Sequence, residues 1–413
     1  MVMNMAMGTA TKTDGVAGRA RPPAFWWRMF LVAIVLVTGT FAVRHSLGLA
    51  LANRSPEAAL NIDRENAIVR ARAAFDMVDG ETDRTRFGEA RALALGALQR
   101  DAGNVTALAV MGLTSDRTAA SDAAFSAAER LSRRDLSTQL WMIESAVADN
   151  DIAGALRHYD TAMRTSRAAP SILFPVLIGA ASDEALRVEI ANTLARRPSW
   201  GGLYIQQLAQ SGDVRAAASL LMRLKRQGVP TGAAADAALY SRLIEARLFD
   251  VAWAVYATDT PEAARAGVRN PRFSEQPVSP TPFDWQTTDT EFVSAQIEPG
   301  AGGQGRLSFS TASGEGGEAA RQMLALPSGP YRLQSRVATL QGADEAPPYL
   351  RVTCLPAGNE LSRVPLAARA PSSATFTVPA GCAGQSLALI IQPGSGLATV
   401  EGAIDQISVA PSR

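Results

Sequence analysis

The sequence predicts three structural classes in succession: one membrane-spanning helix, a long all-α region of helical hairpins, and a C-terminal all-β sandwich. Three observations carry that reading. Phe25–Val43 (FWWRMFLVAIVLVTGTFAV) is the only long apolar run in the chain. Residues 54–268 are rich in Ala, Leu and Arg, with helical patterning broken at short intervals by polar turns. Residues 270–413 shift to Ser, Thr, Gly and Pro around short alternating apolar runs.

As a helix, Phe25–Val43 rises about 28 Å, close to the thickness of a bilayer's hydrocarbon core. Trp26 and Trp27 fall where an interfacial aromatic belt lies, and Arg28 is one turn inside the start, within snorkelling reach of the headgroups. Lys12, Arg19, Arg21 and Arg28 precede the run against a single acid, Asp14, while Arg44 and Arg54 follow it. The positive-inside bias therefore places residues 1–24, a polar and disordered arm, in the cytoplasm and the bulk of the chain outside it. An Ala- and Arg-rich, Lys-poor composition points to a bacterial inner membrane, with the rest of the chain in the periplasm. A cleaved signal peptide is the rival reading, because Ala50-Leu51-Ala52 has the small-x-small form of a cleavage site.

A formal net charge of +1 gives no global field for nucleic acid. The chain has two cysteines and two histidines, His45 and His158 far apart, so no zinc set and no ready nucleophile–histidine pair stands out. No phosphate loop or dinucleotide fingerprint is present, and Gly300–Gly305 lacks the strand–loop–helix setting such a loop needs. An enzyme would have to rest on a carboxylate pair like that of a glycan hydrolase, for which no motif speaks.

The helical region opens at Ser55-Pro56-Glu57, with Ser as N-cap, Pro in the first turn and an acid beside it. Breaks recur at Asp79-Gly80, Asp101–Asn104, Asp149–Asp151, Ser211–Asp213 and Gln227-Gly228. That spacing calls for helical hairpins, which bury their apolar faces only by stacking on one another.

Ala90–Met111 (ARALALGALQRDAGNVTALAVM) and Leu140–Arg164 (LWMIESAVADNDIAGALRHYDTAMR) resemble tetratricopeptide repeats, with Trp141, Ala148, Ala155, Tyr159 and Ala162 near the repeat's large and small positions. Leu203–Leu224 and Leu243–Tyr256 are weaker copies, and the period drifts from the family's 34 residues. The resemblance implies a solenoid whose concave face binds a partner protein; a plain spacer is the alternative. Arg157, Arg164, Arg215 and Arg223 recur on the second helices and offer a basic groove, which a solvated helix face explains equally well.

Pro261–Phe273 ends the helical periodicity. Candidate strands come next at Phe283–Thr287, Glu291–Ile297, Arg306–Phe309, Glu318–Ala325, Tyr331–Ala338, Tyr349–Leu355, Ala374–Val378, Ser386–Ile391 and Ala403–Val409. Eight or nine short strands between Gly/Pro turns suit a jelly roll.

Asn270–Trp285 (NPRFSEQPVSPTPFDW) and Val400–Val409 (VEGAIDQISV) resemble the opening and closing strands of galactose-binding-like, carbohydrate-binding jelly rolls. The resemblance implies that these two segments pair, and that Glu275 and Asp405 are the residues offered to a structural Ca²⁺, although Ser274 stands where the family commonly has Glu. It also implies polysaccharide binding on exposed rings. Trp285, Tyr331 and Tyr349 are the candidates, Tyr349 the best exposed after Pro347-Pro348; Phe283 and Trp285 share a face that reads more readily as core.

Cys354 and Cys382 lie in or beside expected strands and should pair outside the cytoplasm. Their bridge would close about 28 residues and contribute about 3–4 kcal/mol. Two buried thiols are the alternative. Together these features lead us to expect an anchored scaffold that binds envelope proteins through its helices and polysaccharide through its sandwich, in exopolysaccharide or envelope polysaccharide assembly or export. A lectin-like sensor of envelope glycans is the second expectation.

Overall fold

The computed structural model describes residues 23–413 except 80–83, 117–118, 261–264, 344–345, 369, 394–398 and 413. The N-terminal arm and the charges used for orientation at Lys12, Asp14, Arg19 and Arg21 lie outside the described residues. The chain divides into two compact units, Met1–Met142 and Ile143–Arg413. Among the described residues it forms fourteen α-helices and then a two-sheet antiparallel β-sandwich.

The first unit opens with α1 (Pro23–Leu51), of which Trp26–Leu51 is long and apolar enough to cross a membrane, with a mean hydropathy of 1.8. Trp26 and Trp27 are exposed on it. The helix continues past Val43, and its last two turns dock on α2 (Pro56–Ile62) and α3 (Ala67–Asp76). Arg44 donates from Nε and Nη2 to the carbonyl of Ile62 at 3.1 and 2.8 Å, and His45 Nδ1 lies 3.2 Å from Asp63. Pro56 and Glu57 occupy the first turn of α2 as expected, but the Ser55 side chain makes no cap bond. Its backbone is bent away from the geometry that aims a hydroxyl at the next turn.

Next come α4 (Phe87–Leu98), α5 (Val105–Leu113) and α6 (Ala119–Leu131), and α7 (Leu136–Ala148) begins in this unit. Alanines make the core between α3, α4 and α5: Ala71, Ala74, Ala90, Ala94, Ala97 and Ala107 are buried together. Small side chains let the helix backbones approach closely, as the Ala-rich stretch at 90–111 implied. Asn104 caps α5 by accepting from the amide of Ala107 at 3.0 Å. Gly112 leaves room for the ring of Phe125, which stacks on Trp141 with centroids 4.6 Å apart.

In the second unit, α8 (Ile152–Thr165), α10 (Glu184–Ala195), α12 (Val214–Arg226) and α14 (Phe249–Asp259) pack as a series, each against the next. α9 (Ala169–Ala180), α11 (Gly201–Ser211) and α13 (Ala233–Glu245) alternate with them, and α11 packs on α13. The result is stacked hairpins. An aspartate starts three of the second helices: Asp151, Asp183 and Asp213 accept from the amides of Gly154, Leu186 and Ala216. Their spacings, 183 − 151 = 32 and 213 − 183 = 30, fall short of a 34-residue period.

The sandwich contains β1 (Gln286–Thr287), β2 (Val293–Pro299), β3 (Gly305–Thr311), β4 (Gly317–Leu324), β5 (Gly329–Gln341), β6 (Tyr349–Leu355), β7 (Glu360–Pro365), β8 (Ser372–Val378), β9 (Gly384–Ile391) and β10 (Glu401–Pro411). One sheet runs β1-β4-β9-β6-β7 and the other β2-β3-β10-β5-β8, every named pairing antiparallel. The core between them is built from alternate residues such as Leu307, Leu333, Leu350, Val352, Leu387, Leu389, Ile404 and Ile407. β7 is absent from the expected strands because its Glu, Ser and Arg mask the alternation.

Two expectations for the segment that opens the sandwich are corrected. The expected opening and closing strands do not pair: β10 lies between β3 and β5, and the opening segment reaches it through one backbone bond, Ile407 N–H to Pro271 O at 2.9 Å. Prolines at 271, 277, 280 and 282 remove the donors a ladder needs. Phe283 and Trp285 also do not share a strand face. Trp285 joins the sandwich core beside Phe273. Phe283 leaves the sandwich and sits among Tyr240, Trp253 and Tyr256, with ring centroids 6.2, 5.2 and 5.2 Å away.

Candidate functional site

The outward face of the second sheet carries a polar surface. Register fixes its residues. Ser294, Gln296 and Glu298 on β2 stand opposite Ser310, Ser308 and Arg306 on β3. Ser310 and Ser308 in turn face Glu401 and Ala403 on β10, which face Gln341 and Thr339 on β5. These residues line a shallow trough of about 600 Å³. Alternation explains the composition, since the intervening residues Ala295, Ile297, Leu307 and Phe309 point inward and are buried.

The trough is built from hydroxyls, amides and three charges, with no aromatic side chain on its exposed surface. Gln296 Nε2 donates to Glu298 Oε1 at 3.2 Å, and Arg306 lies 4.0 Å from the same carboxylate. Hydrogen bonds from Ser308 and then Gln296 hold the Glu298 carboxyl below its ordinary range, so it stays ionised. Gly402 permits the close approach of the Phe309 ring beneath it; a Cβ there would fall 2.4 Å from that ring. β10 then bulges between Ala403 and Gln406 against β5, which re-aims the strand next to the trough. A surface of this kind can hold a hydroxyl-rich ligand by many hydrogen bonds, those to Glu298, Glu401 and Arg306 being charge-assisted.

The rings expected to stack on sugar lie elsewhere. Tyr331 is 4% exposed and points inward in phase with Leu333, packed on Phe376 at 5.9 Å; burial pushes its phenol up. Trp285 is 2% exposed. Tyr349 does face outward, on the first sheet, but is 8% exposed because the guanidinium of Arg363 lies 4.2 Å above its ring. The trough escaped sequence reading because its residues are spread over four strands and none is an unusual type. Only the polar phase of β2 and β3 signalled it.

Asp405, expected as a calcium ligand, sits in the β10 bulge. Glu275 is exposed, and its backbone carbonyl accepts from Asn270 Nδ2 at 2.7 Å. Among the described residues no group of three or more His, Cys, Asp or Glu gathers as a metal site. Cys354 and Cys382 stand at disulfide distance, with Cα atoms 5.7 Å apart. Buried Gln385, opposite Cys354 in the ladder, donates to the carbonyl of Cys382 at 2.7 Å and pins that corner. Such a bridge fits a domain outside the cytoplasm.

On the helices, Arg157 and Arg164 line a groove of about 300 Å³ between α8 and α10, joined by Arg196, Asp160, Glu189 and Asn192. Arg215 and Arg223 lie outside it. Asp160 accepts from Trp200 Nε1 and from Arg164 Nε, both at 2.9 Å, and so orders that guanidinium in the groove.

No protein-family model matches the sequence, and no curated protein matches it. Among solved structures the chain is similar to the CBM22-1 xylan-binding domain from Paenibacillus barcinonensis Xyn10C, with 12% identity and a TM-score of 0.23 over 36% of this chain and 97% of that one.

Proposed function

We propose that this protein is a membrane-anchored binding protein whose β-sandwich holds a glycan on the polar trough of its second sheet. The observation that carries the reading is the trough itself: Ser294, Gln296, Glu298, Arg306, Ser308, Thr339, Gln341 and Glu401 converge on one open face. Open sheet faces admit chains rather than single small molecules, and hydroxyl-rich chains match its donors and acceptors. The helical hairpins act as a tetratricopeptide-like adaptor, and the α8–α10 groove is the surface we assign to a protein partner. With α1 as a retained inner-membrane anchor and the disulfide outside the cytoplasm, the process we assign is envelope or exopolysaccharide assembly or export. The role is binding, not turnover.

Titration calorimetry of the full chain in detergent micelles against neutral glucans, xylans and mannans tests the reading. At least one is expected to bind, and Gln296→Ala with Ser308→Ala to weaken it by about tenfold, equivalent to ~1.4 kcal/mol. Glycan lengths should be unchanged after prolonged incubation. No binding, or binding indifferent to the trough variants, overturns the trough assignment. Co-purification of polysaccharide synthesis or export proteins with the full chain tests the process.

A further inference from the structure

The outward face of the other sheet carries a row of arginines. Register aligns Gln286 on β1, Arg321 on β4, Ala388 on β9, Arg351 on β6 and Arg363 on β7 across all five strands. At about 4.8 Å per strand, Arg321 and Arg351 stand about 10 Å apart with the small Ala388 between them, and Arg363 is one strand further. The next row along the same face is Glu318, Ile390, Tyr349 and Pro365. Ile390 and Pro365 therefore flank, beside the cationic row, the Tyr349 ring that Arg363 covers.

The arginines differ in how far they are satisfied. Arg363 is gripped at both ends by Glu360, at 2.9 and 2.8 Å, which fixes its guanidinium over Tyr349. Arg321 donates from Nε to Gln286 at 3.0 Å, with Glu318 at 3.8 Å, and keeps 60% of its side chain exposed. Arg351 acts on the Glu360 carboxylate through charge, without a direct ion pair among the described residues, and its Nε is buried with no acceptor. A guanidinium with spare donors, at the middle of a row of three, is an arrangement that binds carboxylates. Arg321 also lines a cleft of about 440 Å³ under α13, to which Glu245 contributes an acid.

We propose that this face binds a carboxylate-bearing polysaccharide, a uronic-acid chain running across the strands. Its carboxylates meet Arg351 and Arg321, and its sugar C–H faces lie along Ile390 and Pro365 and over the Arg363 guanidinium that covers Tyr349. The alternate spacing of Arg321 and Arg351 suits a polymer charged at regular intervals, and the flat sheet face suits pyranose rings. This second site differs in chemistry from the trough but rests on the same reading of the sandwich as a glycan-binding module.

The test is calorimetry of the full chain in detergent micelles against polygalacturonate, its carboxyl-reduced neutral counterpart, and polyglutamate of equal charge. Polygalacturonate is expected to bind, and the other two to bind at least about tenfold more weakly. Arg351→Gln and Arg321→Gln are expected each to weaken polygalacturonate by about tenfold, with unchanged melting temperature and unchanged binding of any neutral glycan held by the trough. Raising salt from about 50 to about 300 mM should weaken it further. Failure of polygalacturonate to bind, indifference to Arg351→Gln, or equal binding of polyglutamate overturns the inference. If a neutral glycan still binds through the trough, the first reading survives that failure; if nothing binds, both fall.

Discussion

Lys225 on α12 sets its ammonium 2.8 Å from a carboxylate oxygen of Asp236 on α13 while only 6% of its side chain is exposed. Asp259, at the end of α14, closes on the same ammonium, and Thr231 donates to the other oxygen of Asp236 at 2.8 Å. One buried cation thus ties together three successive helices of the stack, the last of which holds Phe283 from the sandwich.

Removing Asp236 leaves the buried Lys225 ammonium to Asp259 alone, an acid whose side chain is 48% exposed. Asp236→Asn or Lys225→Ala is expected to cost about 1–3 kcal/mol of unfolding free energy, and the apolar pair Lys225→Met with Asp236→Leu less. Urea titrations tracked by tryptophan fluorescence measure the difference. Single variants as stable as the parent would show that the cluster is solvated.

Gly384 begins β9 directly beneath Phe249 of α14; a Cβ there would fall 2.7 Å from the Phe249 ring. Gly384→Ala is therefore expected to destabilise by about 1–3 kcal/mol, through the displaced ring. Adding Phe249→Leu to Gly384→Ala should recover part of the loss. A neutral Gly384→Ala would mean that the ring moves aside freely.

The junction after the long apolar helix bears on whether α1 is kept. Ala52, at the small-x-small sequence, is 3% exposed and packs with Ala59 and Val69, and Gly48 lies against Asp63. Cleavage after Ala52 would strip Arg44 from Ile62 and His45 from Asp63. The mature protein is expected to retain α1, with an intact mass that includes residues 23–52. A mature chain beginning at Asn53 would refute retention.

Opening the Cys354–Cys382 bridge should lower stability by about 3–4 kcal/mol. Denaturation with and without reductant measures it, and Cys354→Ser combined with Cys382→Ser should reproduce the reduced protein. A reductant-insensitive midpoint would indicate that the thiols are not bridged.

Glu298 gives the trough a pH dependence. Its folded carboxyl is lowered by Ser308 and Gln296, so its stabilising contribution is complete above the ordinary carboxylate range and is lost as pH falls through the depressed folded value. Binding in the trough should persist under mildly acidic conditions and fade below them. Ser308→Ala should move that loss to higher pH. A pH profile of binding checks both, and a profile unchanged by Ser308→Ala would remove Glu298 from the site.

Composition and hydrophobic period are enough to set the class of each segment: one apolar run, helical hairpins and a two-sheet sandwich. Asp101–Asn104, Asp149–Asp151 and Ser211–Asp213 announced breaks between helices because turn and cap residues act locally, and Asn104, Asp151 and Asp213 cap the helices that follow. Cys354 and Cys382 could be paired because few residues compete for that bond. Whatever depends on which strands become neighbours is legible only in three dimensions. Tyr331 looked like a sugar platform until strand phase turned it inward, Trp285 took the core place that its surroundings suggested, and Tyr349 faced out only to be covered by Arg363. The trough and the arginine row are each assembled from ordinary residues far apart in the chain, brought into line by ladder register. Register is set by the packing of the whole sandwich, so no local window of sequence contains it.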